Sequence, residues 1–456
     1  MRVLKAIAVA LSVSAVFVSP SWAQSIIRDT EIEHMMRDYS DPILVAAGLQ
    51  PSDVDLYIVA DQTLNAFVTG GQNIFMHTGI LVEVETPNQL KGVIAHETGH
   101  IAGAHLARQS DGVQAAQGSM FVTLGLGLLA ALAGEGQAAG ALMASSQQFG
   151  TLSFLTYTRS QEASADQAAL VFLEGSNQSA SGLVEFFERF RYQEVMSNAR
   201  RFPYFRSHPL SSERISALRN GVTSAENYLE VDPPEELDRL RRIQAKIYGF
   251  LVAPEYVFYR YPETDQTLPA RYARAVAYFH DAQLDEARDE IESLISEEPG
   301  NPYFQELYGQ MLFESGRVEE SIPHHARSVE LEPTAPLLRV NLAVAMIASE
   351  DANLLDAAER HLRVALDLEP DNGFAWYQLS IVHERNGQTA LAQLAIAEQA
   401  YASGNQMRAM QFATRARTAL EAGTPAWIRA TEIQSVSAPT EAEMRRMRRQ
   451  QRRGFN

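Results

Sequence analysis

Apolar positions recur at helical spacing from Ile32 to Leu49 and predict a first amphipathic helix. Three short runs follow, Leu56 to Val59, Ala66 to Val68 and Asn73 to His77, each of strand length. Gly70-Gly71 between the last two signals a hairpin. Thr86-Pro87-Asn88-Gln89 then reads as a helix start: Thr86 is the cap, Pro87 suits the first turn and Gln89 closes a capping box. That helix is expected to run through His100 to about Ala107. Met120 to Gly134 is almost wholly apolar. As a helix it would span about 22 Å, short of the ~30 Å of a bilayer core. It is expected as a hydrophobic helix or lid, either packed in a core or touching a membrane. Gly134 to Gly150, rich in Gly, Ala and Gln, is expected as a flexible connection. Helices are predicted again over Phe154 to Leu173, Gly182 to Ser197 and Ser212 to Leu218.

The pattern changes after Val231-Asp232-Pro233-Pro234. Glu298-Pro299, Glu332-Pro333 and Glu369-Pro370 recur at intervals of 34 and 37 residues, and 34 is the tetratricopeptide length. Anchored on those prolines, Ala275, Tyr278 and Ala287 fall at packing positions of a first repeat. Gly309 and Gly316 belong to a second, and Leu342 and Ala343 to a third with three extra residues near Ser349 to Asn353. Trp376, Leu379, Gly387 and Ala392 fit a fourth. Small residues at these places let paired helices touch, and stacked neighbours complete the core. Residues 405 to 422 are expected as a capping helix.

Composition narrows the chemistry. The 456 residues contain no cysteine, so disulfides, thiolate nucleophiles and Cys-ligated metals are excluded. The formal charge of −18 argues against nucleic acid as a partner of the folded body. Arg2 and Lys5, the apolar stretch Ala6 to Val18, and Ser21-Trp22-Ala23 resemble a secretory signal cleaved after Ala23. A periplasmic location is therefore expected. Six arginines between Arg445 and Arg453 are expected as a solvated tail, with contact to an anionic surface as the alternative. The division this suggests is a signal peptide over 1–23, a first folded domain over 24–230 and a linker helix region over 231–267. The repeats would occupy 268–425 and an Arg-rich flexible tail 426–456.

Within 24–230 stands His96-Glu97-Thr98-Gly99-His100, which marks this stretch as a zinc metallopeptidase domain. Histidines four apart share one helix face and can converge on one Zn²⁺, with Glu97 placed as the base that takes a proton from attacking water. A catalytic zinc needs a third protein ligand and an open position. Glu162 is the favoured third ligand, with Asp166 one turn on to accept the free ring N–H of a zinc histidine. His105 is the rival; it follows His100 by five residues where the metzincin spacing needs six.

His96-Glu97-x-x-His100 followed by Glu162-x-x-x-Asp166 resembles the gluzincins of the CAAX-prenyl-protease/HtpX-like superfamily. With a signal before it and tetratricopeptide repeats after it, the chain is similar to the periplasmic β-barrel assembly-enhancing proteases over about 27 to 420. That resemblance implies a mainly α protein: a zincin-type α+β metallopeptidase domain with a small β-hairpin or sheet, followed by a tetratricopeptide α-solenoid. It implies zinc on His96, His100 and Glu162, and Glu97 as catalytic base. His208, in Ser207-His208-Pro209, would stabilise the oxyanion or cap the zinc to hold the enzyme latent. Asn65-Ala66-Phe67 resembles an edge strand that pairs with an extended substrate. The partners it implies are unfolded or misfolded polypeptides and an outer-membrane assembly complex held through the repeats; a peripheral membrane contact is expected from the apolar Met120 to Gly134 segment. The alternative function is a chaperone or interaction module carrying a latent metal site.

Overall fold

The computed structural model describes residues 26–132, 136–196, 204 and 208–438. The fold is mostly helical with one small sheet. The chain starts with β1 (Ile26–Ile27) and α1 (Thr30–Ala46), capped by the Asp29 carboxylate on the Ile32 N–H. Next come β2 (Asp55–Val59), β3 (Ala66–Thr69) and β4 (Asn73–His77). The sheet order is β1-β2-β4-β3. β1 pairs antiparallel with β2, β2 parallel with β4, and β3 antiparallel with β4 with Phe67 opposite Phe75. Gly70 and Gly71 turn this hairpin with φ of +63° and +112°, angles open to glycine and costly for other residues.

After the short α2 (Thr78–Glu83) comes the central helix, α3 (Pro87–Ala102). Thr86 accepts the Gln89 N–H at 3.2 Å, and the Gln89 carbonyl reaches back to the Glu85 N–H at 2.9 Å, one residue earlier than a strict capping box. Nearly every side chain of α3 is buried. It ends at Ala102, short of the expected Ala107, because the chain turns at Gly103 and Ala104.

α4 (Gln109–Leu132) and α5 (Gly136–Gly175) form a long antiparallel pair. Ser119 and Ser153 meet at 2.6 Å, and the Tyr157 hydroxyl donates to the Arg108 carbonyl at 2.7 Å. The flexible connection expected over Gly134 to Gly150 is instead the first part of α5 from residue 136 onward. Its alanines and glutamines are good helix formers, and the face it lays on α4 outweighs its glycines. Phe121, Val122, Leu126, Phe149, Leu152 and Leu155 are exposed on this pair. No helix among the described residues is long and apolar enough to cross a membrane.

α6 (Ser181–Met196) and α7 (Ser212–Ser224) close the first unit, and α8 (Pro234–Leu251) and α9 (Pro254–Arg260) follow. One apolar core joins α1, the sheet, α3, α6, α7 and α8: Met35, Ile58, Ile80, Val93, Phe186, Leu218 and Ile243 are all buried in it.

The repeat helices are α10 (Leu268–His280), α11 (Leu284–Glu297), α12 (Pro302–Glu314), α13 (Val318–Leu331), α14 (Pro336–Ala348), α15 (Leu355–Leu368), α16 (Gly373–Arg385), α17 (Thr389–Ala402) and α18 (Gln406–Ala419). The turn inside each helix pair needs positive φ. Gly316 and Gly387 supply it at +79° and +71°, while Ala282 and Glu350 hold the equivalent places at +59° and +60°. The three extra residues of the third repeat form a 3-10 turn, Ala352–Leu354. α19 (Pro425–Val436) packs on α17 and α18, so the stretch read as a tail from 426 begins as a helix; residues 439–456, like the signal-like 1–23, lie outside the described residues.

The region read as a linker is a seam. Lys246 of α8 is buried against Asp29 at 2.7 Å and Glu31 at 3.1 Å, and Glu31 also accepts the Tyr272 hydroxyl of α10 at 2.9 Å. His34 meets Tyr303 at 3.1 Å, and Arg28 pairs with Glu369 at 2.8 Å.

Candidate metal centre

Three elements converge. α3 carries His96, Glu97 and His100, α5 carries Glu162 and Asp166, and the stretch before α7 carries His208. The approach depends on Gly99: a Cβ there would lie 2.7 Å from the Ala165 carbonyl oxygen and 2.9 Å from the Ala165 Cα. Gly99 against Ala165 therefore sets α5 close enough for Glu162 to reach both histidines.

His96, His100, Glu162 and His208 present ligand atoms that all lie within 4.8 Å of one another. His96 Nε2 is 3.2 Å from His100 Nε2, 3.2 Å from His208 Nδ1 and 3.4 Å from Glu162 Oε2. Glu162 is also 3.5 Å from His100 Nε2 and 3.1 Å from His208 Nδ1. Four ligands at 2.0–2.1 Å around a tetrahedral ion stand about 3.3 Å apart. The separations from His96 and Glu162, 3.1–3.5 Å, lie near that value and the whole group falls within 4.8 Å, so the donor set is compatible with a divalent ion.

The surroundings fix the tautomers. His96 Nδ1 lies 3.0 Å from Asp166 Oδ1, so in the neutral ring the proton stays on Nδ1 and Nε2 is bare and aimed at the cluster. Arg214 of α7 is buried and grips Asp166 with a fork: Nε to Oδ2 at 2.7 Å and Nη2 to Oδ1 at 2.8 Å. Its Nη1 donates to the Pro209 carbonyl at 2.8 Å and lies 3.2 Å from Glu162 Oε2. One guanidinium thus ties together Asp166, Glu162 and the His208-Pro209 corner. Tyr204, also buried, stacks on the His208 ring with centroids 4.6 Å apart. Sequence reading missed both Arg214 and Tyr204. The signal for Arg214 was its place at the start of a helix capped by Ser211, just after the His-Pro pair.

Titration follows from burial and charge. Burial opposes charge on His96, but Asp166 and then Glu162 outweigh it and raise the ring to about 9. Burial, with His96 and His208 adding to it, pushes His100 down to about 2. Burial also opposes the Glu162 and Asp166 charges, yet His208 and His96 hold Glu162 well below the usual carboxylate range, and Arg214 and His96 lower Asp166. Glu97 moves the other way: its carboxyl is fully enclosed, and burial raises it although His208 and His96 favour the charged form.

Glu97, His100, Glu162 and His208 line a cleft of about 860 Å³ whose other walls include Leu49, Phe67, Val68, Ile101 and Leu106. Of the three residues read as substrate-binding, Ala66 and Phe67 lie on β3, the edge strand of the sheet, and Asn65 just before it. Ala66 is buried, Phe67 stacks on Phe75 with centroids 5.1 Å apart, and the Asn65 carbonyl accepts the His77 N–H at 3.0 Å. His105 does not join the ligand group; it sits behind the His100 ring, Nδ1 to Nδ1 at 3.0 Å. The six-residue metzincin spacing is replaced by a turn that points this ring at the back of His100.

Residues 27–222 match peptidase family M48. That match and the clustered His and Glu ligands make the chain a metallopeptidase, and a polypeptide substrate follows from that. The chain is similar to a Vibrio cholerae protein described as a beta-barrel assembly-enhancing protease in qualified terms, 25% identical over 416 residues, which cover 89% of this chain and 84% of that one. It is also similar to the beta-barrel assembly-enhancing protease of Escherichia coli strain K12, 26% identical over 312 residues, 66% of this chain and 62% of the relative. The metalloprotease LoiP of the same strain is 30% identical over 179 residues, 38% of this chain and 64% of LoiP. The match thus spans less than two thirds of both Escherichia coli relatives. Among solved structures, a TPR protein, YrrB, with an unusual peptide-binding site aligns at 17% identity and a TM-score of 0.32, covering 38% of this chain and 89% of its own.

Proposed function

We propose that the protein is a zinc-dependent endopeptidase of the cell envelope that degrades misfolded or stalled outer-membrane proteins, with its repeats docked to assembly machinery. The convergence of His96, His100, Glu162 and His208, whose ligand atoms all lie within 4.8 Å of one another, carries the metal part of this reading. The names of the relatives and the signal-like 1–23 support the substrate and the periplasmic location. The exposed apolar side chains of α4 and α5 support a peripheral membrane contact.

Bound by His96, His100 and Glu162, zinc would supply Lewis acidity toward a scissile carbonyl and toward water. Glu97 takes a proton from the attacking water and returns it to the leaving amine. Burial raises its carboxyl toward the working pH, which suits both transfers. Phe67 and Val68 of the edge strand β3 line the cleft, and this strand would pair with an extended chain through the backbone, largely independent of sequence. The apolar walls favour apolar side chains next to the cut bond.

His208 supports a second, latent state. Its Nδ1, 3.2 Å from His96 Nε2 and 3.1 Å from Glu162 Oε2, would take the fourth ligand position, which a catalytic zinc keeps open. Replacing His208 by Ala should speed cleavage of casein, or of an unfolded β-barrel protein, by roughly tenfold or more, an effect of at least about 1.4 kcal/mol. No cleavage by either form, both loaded with zinc, would favour the interaction-module reading instead.

Zinc binding should also depend on pH. The His96 pKa is raised in the metal-free fold, so the stability its proton contributes is complete below about pH 6.5 and is lost as pH rises through about 9. Zinc needs the same ring neutral. Added zinc should therefore raise the melting temperature more at about pH 8.5 than at about pH 6; equal increments would contradict this.

A further inference from the structure

We propose that His105 is a positioning residue for the metal centre: its Nδ1 accepts the Nδ1–H of His100 and holds that ring with Nε2 turned into the ligand cluster. The proposal rests on the metal reading above and adds to it a residue outside the ligand set.

The backbone builds this contact. α3 ends in a Schellman turn, in which the Ala104 N–H donates to the Ile101 carbonyl at 2.9 Å and the His105 N–H to the His100 carbonyl at 3.1 Å. Ala104 takes the left-handed place with φ of 49°, a position that usually falls to glycine. This turn lays the side chain of its last residue over the residue five before it. Apolar pairs commonly fill these two places; here two imidazoles do, with Nδ1 atoms 3.0 Å apart.

Two facing ring nitrogens at that distance need one proton between them. His100 Nε2 faces His96 and Glu162, so with a metal on Nε2 the proton sits on His100 Nδ1 and His105 Nδ1 is the acceptor. The residue is held at its backbone and at its ring. The Gln161 amide donates to the His105 carbonyl at 3.3 Å, next to the ligand Glu162. Gly103 lies flat against it, so that a Cβ there would fall 2.4 Å from His105 Nε2. His96 is oriented by Asp166 and His100 by His105; each histidine of the motif thus has its own partner.

The test uses the purified full chain of His105→Ala and Gly103→Ala. The second keeps the imidazole and displaces it. Zinc affinity is measured by competition with a chromophoric chelator, alongside the visible spectrum of the cobalt(II) forms and the melting of the metal-free proteins. Both variants should bind zinc about 10–100-fold more weakly and shift the cobalt spectrum, with metal-free melting unchanged. If His105→Ala does not fold, Gly103→Ala carries the same test. Affinity within about twofold of the unsubstituted chain in the variants that fold would overturn the role of His105. Failure of the unsubstituted chain to bind zinc would instead overturn the metal reading itself.

Discussion

Replacing Glu97 by Gln should lower the rate of peptide-bond cleavage by about a thousandfold while zinc stays bound, within the 10²–10⁴ range that a positioned general base contributes. The substitution keeps the shape of the side chain and removes only its ability to take a proton. Glu97 is not among the four clustered ligands, so metal content should not change. The carboxyl is enclosed and its pKa is raised by burial, so its charge costs the fold stability above the ordinary value of 4.5. The Gln variant should accordingly melt no lower than the unsubstituted chain. A purely structural Glu97 would behave differently, with lower melting and little change in cleavage per folded molecule.

The second large effect belongs to Arg214. Arg214→Met keeps the bulk of the side chain but removes the forked donors of Asp166, the donor of the Pro209 carbonyl and one cation beside Glu162. Breaking a buried pair in this way costs roughly 3–5 kcal/mol, on the order of 10 °C in the melting of a unit of this size. The loss should be largest above about pH 4, where Asp166 is charged; its folded pKa is depressed, so the pair's contribution fades as pH falls. Arg214→Lys should recover only part, because an ammonium cannot reproduce the forked contact. Unchanged melting of Arg214→Met at neutral pH would show that the fork contributes nothing to the fold.

Much of the site's local structure was legible because it is local. Thr86 and Gln89 mark the start of α3, and the four-residue spacing of His96 and His100 places both rings on one face. What periodicity cannot show is which faces meet. Gly99 reads as a weak point in a helix until Ala165 is found against it. Arg214 looks like an ordinary helix-start arginine until α7 is packed on α5. The Gly/Ala/Gln stretch before Gly150 reads as a connection because its pattern lacks an apolar stripe, whereas its partner helix α4 supplies the missing order. His105 failed as a ligand by spacing alone, and its position behind His100 depends on a left-handed Ala104 that few rules would place there. In the repeats, Gly316 and Gly387 announced their turns, while Ala282 and Glu350 hid the same backbone behind other side chains.

The most direct measurement is metal content by mass spectrometry on the purified full chain and its Glu162→Ala variant, both dialysed against metal-free buffer after zinc loading. The account predicts about one zinc per unsubstituted chain, as a single tetrahedral site requires, and loss of most of it from Glu162→Ala. An unsubstituted chain without zinc, or a Glu162→Ala variant that keeps its full complement, would contradict it.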